Sequence, residues 1–68
     1  MQTFAKRLRE LRKERNLSQK QVATILNIRQ QSYVRYELNT SEPCYEMLVK
    51  IARFFEVSTD FLLGVSDY

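Results

Sequence analysis

Apolar side chains recur at helical spacing from the first residues of the chain. Phe4, Leu8 and Leu11 follow one another at intervals of four and three, which is the pattern of one buried helix face. This spacing predicts an amphipathic first helix over about residues 3 to 15. Asn16 is expected to mark its end.

A second helix is predicted to start at Ser18. Ser18 and Gln21 form a capping-box pattern, in which each side chain bonds to the backbone N–H of the other residue. Leu17 is placed to pack on Val22 as a hydrophobic staple. The inward-facing positions of this helix are Val22, Ala23, Ile25 and Leu26. The helix should end at Asn27, a residue type that tolerates the left-handed backbone region.

A third helix is predicted over about residues 30 to 38. Ile28 precedes it as a buried anchor, and Tyr33 and Tyr36 lie three residues apart on one face. The polar residues 39–42 then form a loop.

Two further helices complete an all-helical pattern. Pro43 suits the beginning of the fourth helix, where its missing N–H is not needed. The core stripe of this helix is Leu48, Ile51, Ala52 and Phe55, with Tyr45 and Met47 as flanking candidates. Ser58 as N-cap and Asp60 in the first turn predict a short fifth helix that ends at Gly64. Residues 65–68 form a tail too short to fold independently.

The bulk composition excludes several classes of protein. Sixty-eight residues allow one domain, residues 1–68, with one small core. There is no apolar stretch of about 18 residues and no signal peptide, so a cytoplasmic location is expected. One cysteine, Cys44, and no histidine exclude an internal disulfide and a standard zinc site. An enzyme is not expected, since the cysteine has no base partner and no Gly-rich loop is present; neither a cofactor, a metal nor a small-molecule ligand is expected.

Charge is distributed unevenly along the chain. Residues 1–35 carry nine Lys and Arg against two acids, a balance of +7, whereas residues 36–68 carry two bases against six acids, a balance of −4. The basic half suits a polyanion such as nucleic acid. Lys- and Arg-rich faces are also common on solvated surface helices, so charge alone does not decide between the two interpretations.

Residues 18–38 carry the pattern of a helix-turn-helix. This motif needs a small residue where two helices cross and a turn residue able to adopt positive φ, and Ala23 and Asn27 meet these needs. The apolar residues that hold the pair together are Val22, Leu26, Ile28 and Tyr33.

From about Phe4 to Gly64 the chain resembles the Cro-like, or XRE-type, helix-turn-helix family of phage repressors and bacterial regulators. The matching stretches are LRELRKERNLSQKQVA, ILNI, YVRYE, EP and FFEVSTDFLLG. The resemblance implies an all-α, compact five-helix, phage-repressor-like DNA-binding domain with the helix-turn-helix at helices 2 and 3. It also implies a homodimer that binds double-stranded operator DNA and regulates transcription.

The segment QQS at residues 30–32 is similar to the start of the recognition helix in one group of phage repressors. The N-terminal residues of such helices enter the major groove. Gln pairs in two places with adenine and Arg with guanine, so Gln30, Gln31 and Arg35 are the expected base readers. Ser32 is expected to bond to a base or a phosphate. Those repressors carry Gln at position 35, so their operator sequence does not transfer.

Further contacts are expected with the DNA backbone. Gln19 matches a family position that contacts phosphate, and the N–H groups at its helix start also attract anions. Lys20 and Arg29 are additional backbone candidates. Arg12 and Glu37 match family positions that form an ion pair orienting the recognition helix, and Arg12 is also a phosphate candidate. The alternatives are solvated helix surface for the glutamines and two independent charges for the pair.

Three departures from the family pattern stand out. Asn replaces the usual Gly at positions 27 and 39, which keeps the left-handed conformation accessible. Arg29 occupies a position where Ser or Thr caps the third helix, so either the cap is lost or another group provides it. Residues 39–42 lack Lys and Arg, so affinity for the DNA backbone must come mainly from helices 1 to 3.

Aromatic residues at helical spacing are expected to form core or a hydrophobic patch rather than a platform for single-stranded bases: Tyr33, Tyr36, Phe54, Phe55 and Phe61. A C-terminal apolar group is expected to serve either the core or a twofold dimer interface: Val57, Phe61, Leu62 and Val65. The favoured hypothesis is a repressor that binds a near-palindromic operator. The alternative is a protein-interaction module on the same fold, such as an antitoxin or the partner of another regulator.

Overall fold

The computed structural model describes residues 2–67, and their regular structure is entirely helical. The helices are α1 (Gln2–Glu14), α2 (Gln19–Leu26), α3 (Gln30–Glu37), α4 (Tyr45–Phe55) and α5 (Thr59–Leu63). The all-α class with five helices is therefore confirmed. Tyr68, the last residue of the expected tail, lies outside the described residues.

Both ends of α2 form as the sequence predicts. The Gln21 amide donates to Ser18 Oγ over 3.0 Å, and the Ser18 amide donates to Gln21 Oε1 over 2.8 Å, which completes the capping box. Asn27 has a φ of 59°, and its amide donates to the carbonyls of Ala23 and Thr24. The left-handed conformation of Asn27 ends α2 and turns the chain. The helix α3 therefore starts close to the end of α2 and packs on it.

The core contains buried apolar side chains from all five helices. These are Phe4, Leu8, Val22, Ala23, Leu26, Tyr33, Ile51, Ala52, Phe55 and Leu62. The helix α1 packs on α3 and α5, and α4 packs mainly on α2 and α5. In consequence α3 is held against α1 and α2 while its opposite face stays open to solvent.

Two expectations about helix faces and one about a helix start were wrong. Ile25 is 45% exposed, because it follows Ala23 by two positions and so lies roughly 200° around the helix from that core residue. Tyr45 is 88% exposed, whereas Met47, the other flanking candidate, is partly buried against the core. Pro43 precedes the N-cap residue Cys44 instead of lying in the first turn of α4.

The C-terminal apolar group is divided between core and surface. Leu62 is fully buried, which removes it from the dimer-interface candidates, and Val57 and Phe61 are partly buried against the core. Arg7 lies over the Phe61 ring at 4.3 Å from its centroid and donates to the carbonyls of Phe61 and Ser66. Of the four candidates, Val65 has the most exposed side chain, at 75%.

The turn between α4 and α5 contains a left-handed residue that the sequence did not indicate. Glu56 has a φ of 56°, and its amide donates to the Arg53 carbonyl over 3.3 Å. The other left-handed positions are Asn or Gly, namely Asn16, Asn27, Asn39 and Gly64. Glu has no special tolerance for this region, so its backbone carries a conformational cost of roughly 1–2 kcal/mol.

Replacing Glu56 by Gly should therefore stabilise the domain. We expect Glu56→Gly to exceed Glu56→Ala by about 1 kcal/mol in the free energy of unfolding, measured by urea denaturation. In the wild type, Arg15 Nη2 lies 3.5 Å from Glu56 Oε1. Both variants lose this ion pair, so the difference between their free energies of unfolding reports on the backbone alone. Equal stability of the two variants would contradict a strained turn.

Candidate nucleic-acid interface

The exposed face of α3 brings the expected base readers together. Gln30, Gln31 and Arg35 line one open depression with Val34 and Leu38. Counted from Gln30, the other four follow at one, four, five and eight positions, so they share one face of the helix. The sequence reasoning identified the polar members and missed Val34 and Leu38, although their helical spacing from Gln30 carried the signal.

The two secondary candidates on this segment lie at its N-terminal end. Ser32 is half-buried and lies outside the depression. Arg29 is exposed at the N-cap of α3, and its side chain makes no capping hydrogen bond. Arg29 itself therefore supplies no side-chain cap, and it stands exposed at the start of the helix that carries the expected readers.

The expected pair of Arg12 and Glu37 is present as a buried, two-pronged contact. Arg12 Nε lies 2.6 Å from Glu37 Oε2, and Arg12 Nη2 donates to Oε1 over 3.0 Å. Arg12 Nη1 also donates to the Leu17 carbonyl over 2.9 Å. The two side chains are only 12% and 3% exposed. This geometry joins α1 to the last residue of α3 and to the turn before α2.

Gln19 joins the same cluster, which the sequence reasoning did not foresee. Its Nε2 donates to Glu37 Oε1 over 3.2 Å, so the carboxylate is held by residues from α1 and α2 at once. Lys20, the next residue, is instead exposed and lines a separate open depression with Leu17 and Ile25. The structure therefore does not bring Lys20 to the cluster around Glu37.

Electrostatics at the cluster follow from burial and from pairing. Burial alone would raise the pKa of Glu37, but hydrogen bonds from Arg12 and Gln19 and the charge of Arg12 outweigh it, so the pKa is lowered. Burial raises the pKa of Tyr33, and the nearby Glu37 carboxylate raises it further. The Tyr33 hydroxyl is buried without a hydrogen bond of good geometry from residues 2–67. Glu37 is thus a stable anion at neutral pH.

Two other kinds of feature are absent from residues 2–67. No helix in this range is long and apolar enough to cross a membrane. Within the same residues, no three His, Cys, Asp or Glu side chains are grouped so that they could hold a metal ion.

Comparisons with known proteins agree on one kind of domain. A family model described as "Helix-turn-helix domain" matches residues 5–66. The chain is 39% identical over 64 residues to the uncharacterized HTH-type transcriptional regulator YobD of Bacillus subtilis, covering 94% of this chain and 57% of that protein. It is 37% identical over 65 residues to the HTH-type transcriptional regulator ImmR of the same organism, covering 96% and 51%.

A phage protein is also among the relatives. The cryptic phage CTXphi transcriptional repressor RstR of Vibrio cholerae is 34% identical over 64 residues, covering 94% of this chain and 58% of that protein. The chain thus spans about half the length of the curated relatives it matches. No solved structure shows a significant match.

The lowered pKa of Glu37 predicts a specific dependence of stability on pH. Wild type should exceed Glu37→Gln by about 2 kcal/mol in the free energy of unfolding at neutral pH, because the charged hydrogen bonds are lost in the variant. The contribution of the carboxylate is complete above its ordinary pKa of 4.5 and is lost as pH falls through the lowered value. The gap between the two proteins, measured by urea denaturation from pH 7 downward, should therefore narrow below about pH 4.5.

The exposed Glu10 of α1 offers a matched control. Glu10→Gln should stay close to wild type in the free energy of unfolding at neutral pH, since surface charges contribute little. A gap between wild type and Glu37→Gln that stayed constant down to strongly acidic pH would contradict the assignment.

Proposed function

The chain belongs to the XRE-type helix-turn-helix domain family, and from this we propose that it forms the DNA-binding domain of a transcriptional repressor that binds a near-palindromic operator as a homodimer. The observation that carries the proposal is the shared face of Gln30, Gln31 and Arg35 on α3. Relatives named as transcriptional regulators and as a phage repressor support it. Family membership also confirms that this domain is not an enzyme.

Base reading would follow from the chemistry of the exposed α3 face. A Gln side-chain amide can donate a hydrogen bond to adenine N7 and accept one from the N6 amino group. The Arg35 guanidinium can donate to both O6 and N7 of guanine. Val34 adds an apolar side chain on the same face, which suits the methyl group of thymine. Each good two-pronged contact discriminates against a wrong base by about 1–3 kcal/mol. Ser32 is a secondary contact with a base or a phosphate.

Backbone contacts would fix the register of α3 in the major groove. Arg29 extends from the start of α3, and Lys20 is an exposed cation on α2. Gln19 retains a second amide N–H beyond the one bonded to Glu37. Arg12 is nearly buried with its charge balanced by Glu37, so its main task is to orient α3 and its phosphate contact is secondary.

A protein acting on operator DNA in this way works in the cytoplasm.

Dimerisation would use apolar surface near the C-terminal end of the described chain. Tyr45 and Leu63 line one depression, and the exposed Val65 follows two residues after Leu63. Val57 and Phe61 are covered in part by the core and by Arg7, so they would contribute only their exposed edges. A twofold dimer would present two copies of α3 about 34 Å apart on one face of the duplex.

Selection of duplexes from a random pool tests the proposal directly. We expect an inverted repeat with half-sites spaced one helical turn apart, because each protomer presents one α3. In a pool selected with Arg35→Ala, one position of each half-site should lose its base preference, and affinity for the wild-type operator should fall by about 1–3 kcal/mol. Arg53→Ala provides the matched control, since Arg53 is an exposed arginine on α4.

The possible outcomes separate the parts of the proposal. Recovery of no consensus, with a duplex affinity that is flat from about 50 to 200 mM salt, would contradict DNA binding and favour the protein-interaction alternative. A single half-site together with monomers in sedimentation on the selected duplex would contradict the homodimer alone. Unchanged base preferences in the Arg35→Ala pool would contradict the assignment of Arg35 as a reader.

A further inference from the structure

A basic groove lies beside the C-terminal end of α3, next to the sites described above. Lys6 and Arg9 of α1 line it together with Leu38 and Asn39, and Glu37 also contributes to its wall. Both cations are exposed and lie three positions apart, so they share one face of α1. The inference drawn from this groove rests on the proposed DNA-binding function.

The groove adjoins the reading face directly. Leu38 lines both the groove and the depression that contains Gln30, Gln31 and Arg35. The two surfaces therefore meet at this side chain, at the end of α3 opposite Arg29. A duplex seated on the reading face would bring its sugar-phosphate backbone to the rim where α1 meets α3, because phosphates border the major groove on both sides.

The other two arginines of α1, and Arg15 directly after it, make contacts within the domain. Arg12 is held by Glu37 and by the Leu17 carbonyl. Arg7 binds the carbonyls of Phe61 and Ser66. Arg15 forms an ion pair with Glu56 and lies over two aromatic rings of α4.

Lys6 and Arg9 differ from these three arginines in their contacts. Within residues 2–67 neither of them has an ion pair, so their charge remains available to an external anion.

The loop after α3 cannot supply this charge itself. Residues 39–42 contain no Lys or Arg and end in Glu42. Positive charge beside the C-terminal end of α3 therefore comes from Lys6 and Arg9 of the neighbouring helix α1. We propose that Lys6 and Arg9 bind phosphates of the duplex backbone beside the C-terminal end of α3, and so provide the contacts that the loop lacks.

The dependence of affinity on salt measures such contacts. Each phosphate contact contributes about 0.9 to the slope of log affinity against log salt concentration. On the operator duplex recovered by selection, Lys6→Gln and Arg9→Gln should each make the slope shallower by about 0.9, and the double variant by about 1.8. The same loss should occur on a scrambled duplex of equal length, so the ratio between the two affinities stays unchanged.

Arg53→Gln is the matched control, because it removes one exposed cation from α4, which packs mainly on α2 and α5. Its slope should equal that of wild type, and circular dichroism melting should show that all variants fold. If Lys6→Gln and Arg9→Gln showed the same salt dependence of affinity as the wild type, this inference would be overturned and the proposed function would stand. Equal losses in Arg53→Gln would also overturn it, since the effect would then be one of net charge. Absence of duplex binding by wild type would overturn the proposed function itself.

Discussion

The arrangement of this domain depends on one buried carboxylate. Glu37 is the single buried charged residue within residues 2–67, and an unpaired carboxylate at such a position would cost several kcal/mol. Its partners come from different helices, Arg12 from α1 and Gln19 from α2. The last turn of α3 can therefore adopt only an orientation that brings both partners to the carboxylate. Such a pair adds little net stability, but it restricts the geometry of the fold.

This restriction connects the core to the proposed interface. Tyr33 places the inner face of α3 in the core, and Glu37 fixes its end, so Gln30, Gln31 and Arg35 are turned outward as a group. The balance of charge follows from the same pairing. Because Arg12 is neutralised by Glu37, attraction to phosphate depends on cations that lie around α3 without internal partners. The basic half of the chain thus supplies ion pairs within the domain and, in the proposed function, contacts with a polyanion.

Much of this structure could be predicted from the sequence, because its signals are local. The capping box at Ser18 and the Asn turn at position 27 depend only on neighbouring residues, and both formed. The ion pair of Arg12 with Glu37 required the family resemblance, since the two residues are 25 positions apart. The contact of Gln19 with Glu37 and the left-handed Glu56 were not predictable, because they arise from how separate helices meet. The expectation that Ile25 faces inward was wrong because it relied on the apolar side chain, whereas the position of Ile25 around α2 places it at the surface.

The proposed role of the buried pair of Arg12 and Glu37 is to orient α3 for reading DNA. The most direct test replaces the pair with apolar residues of similar size, as Arg12→Met with Glu37→Leu. The double variant should fold with stability near that of wild type, because apolar replacement removes the cost of burying the charges. Its preference for the selected operator over a scrambled duplex should nevertheless fall by about tenfold or more, equivalent to losing one good base contact. A folded double variant that keeps the wild-type preference would contradict the claim.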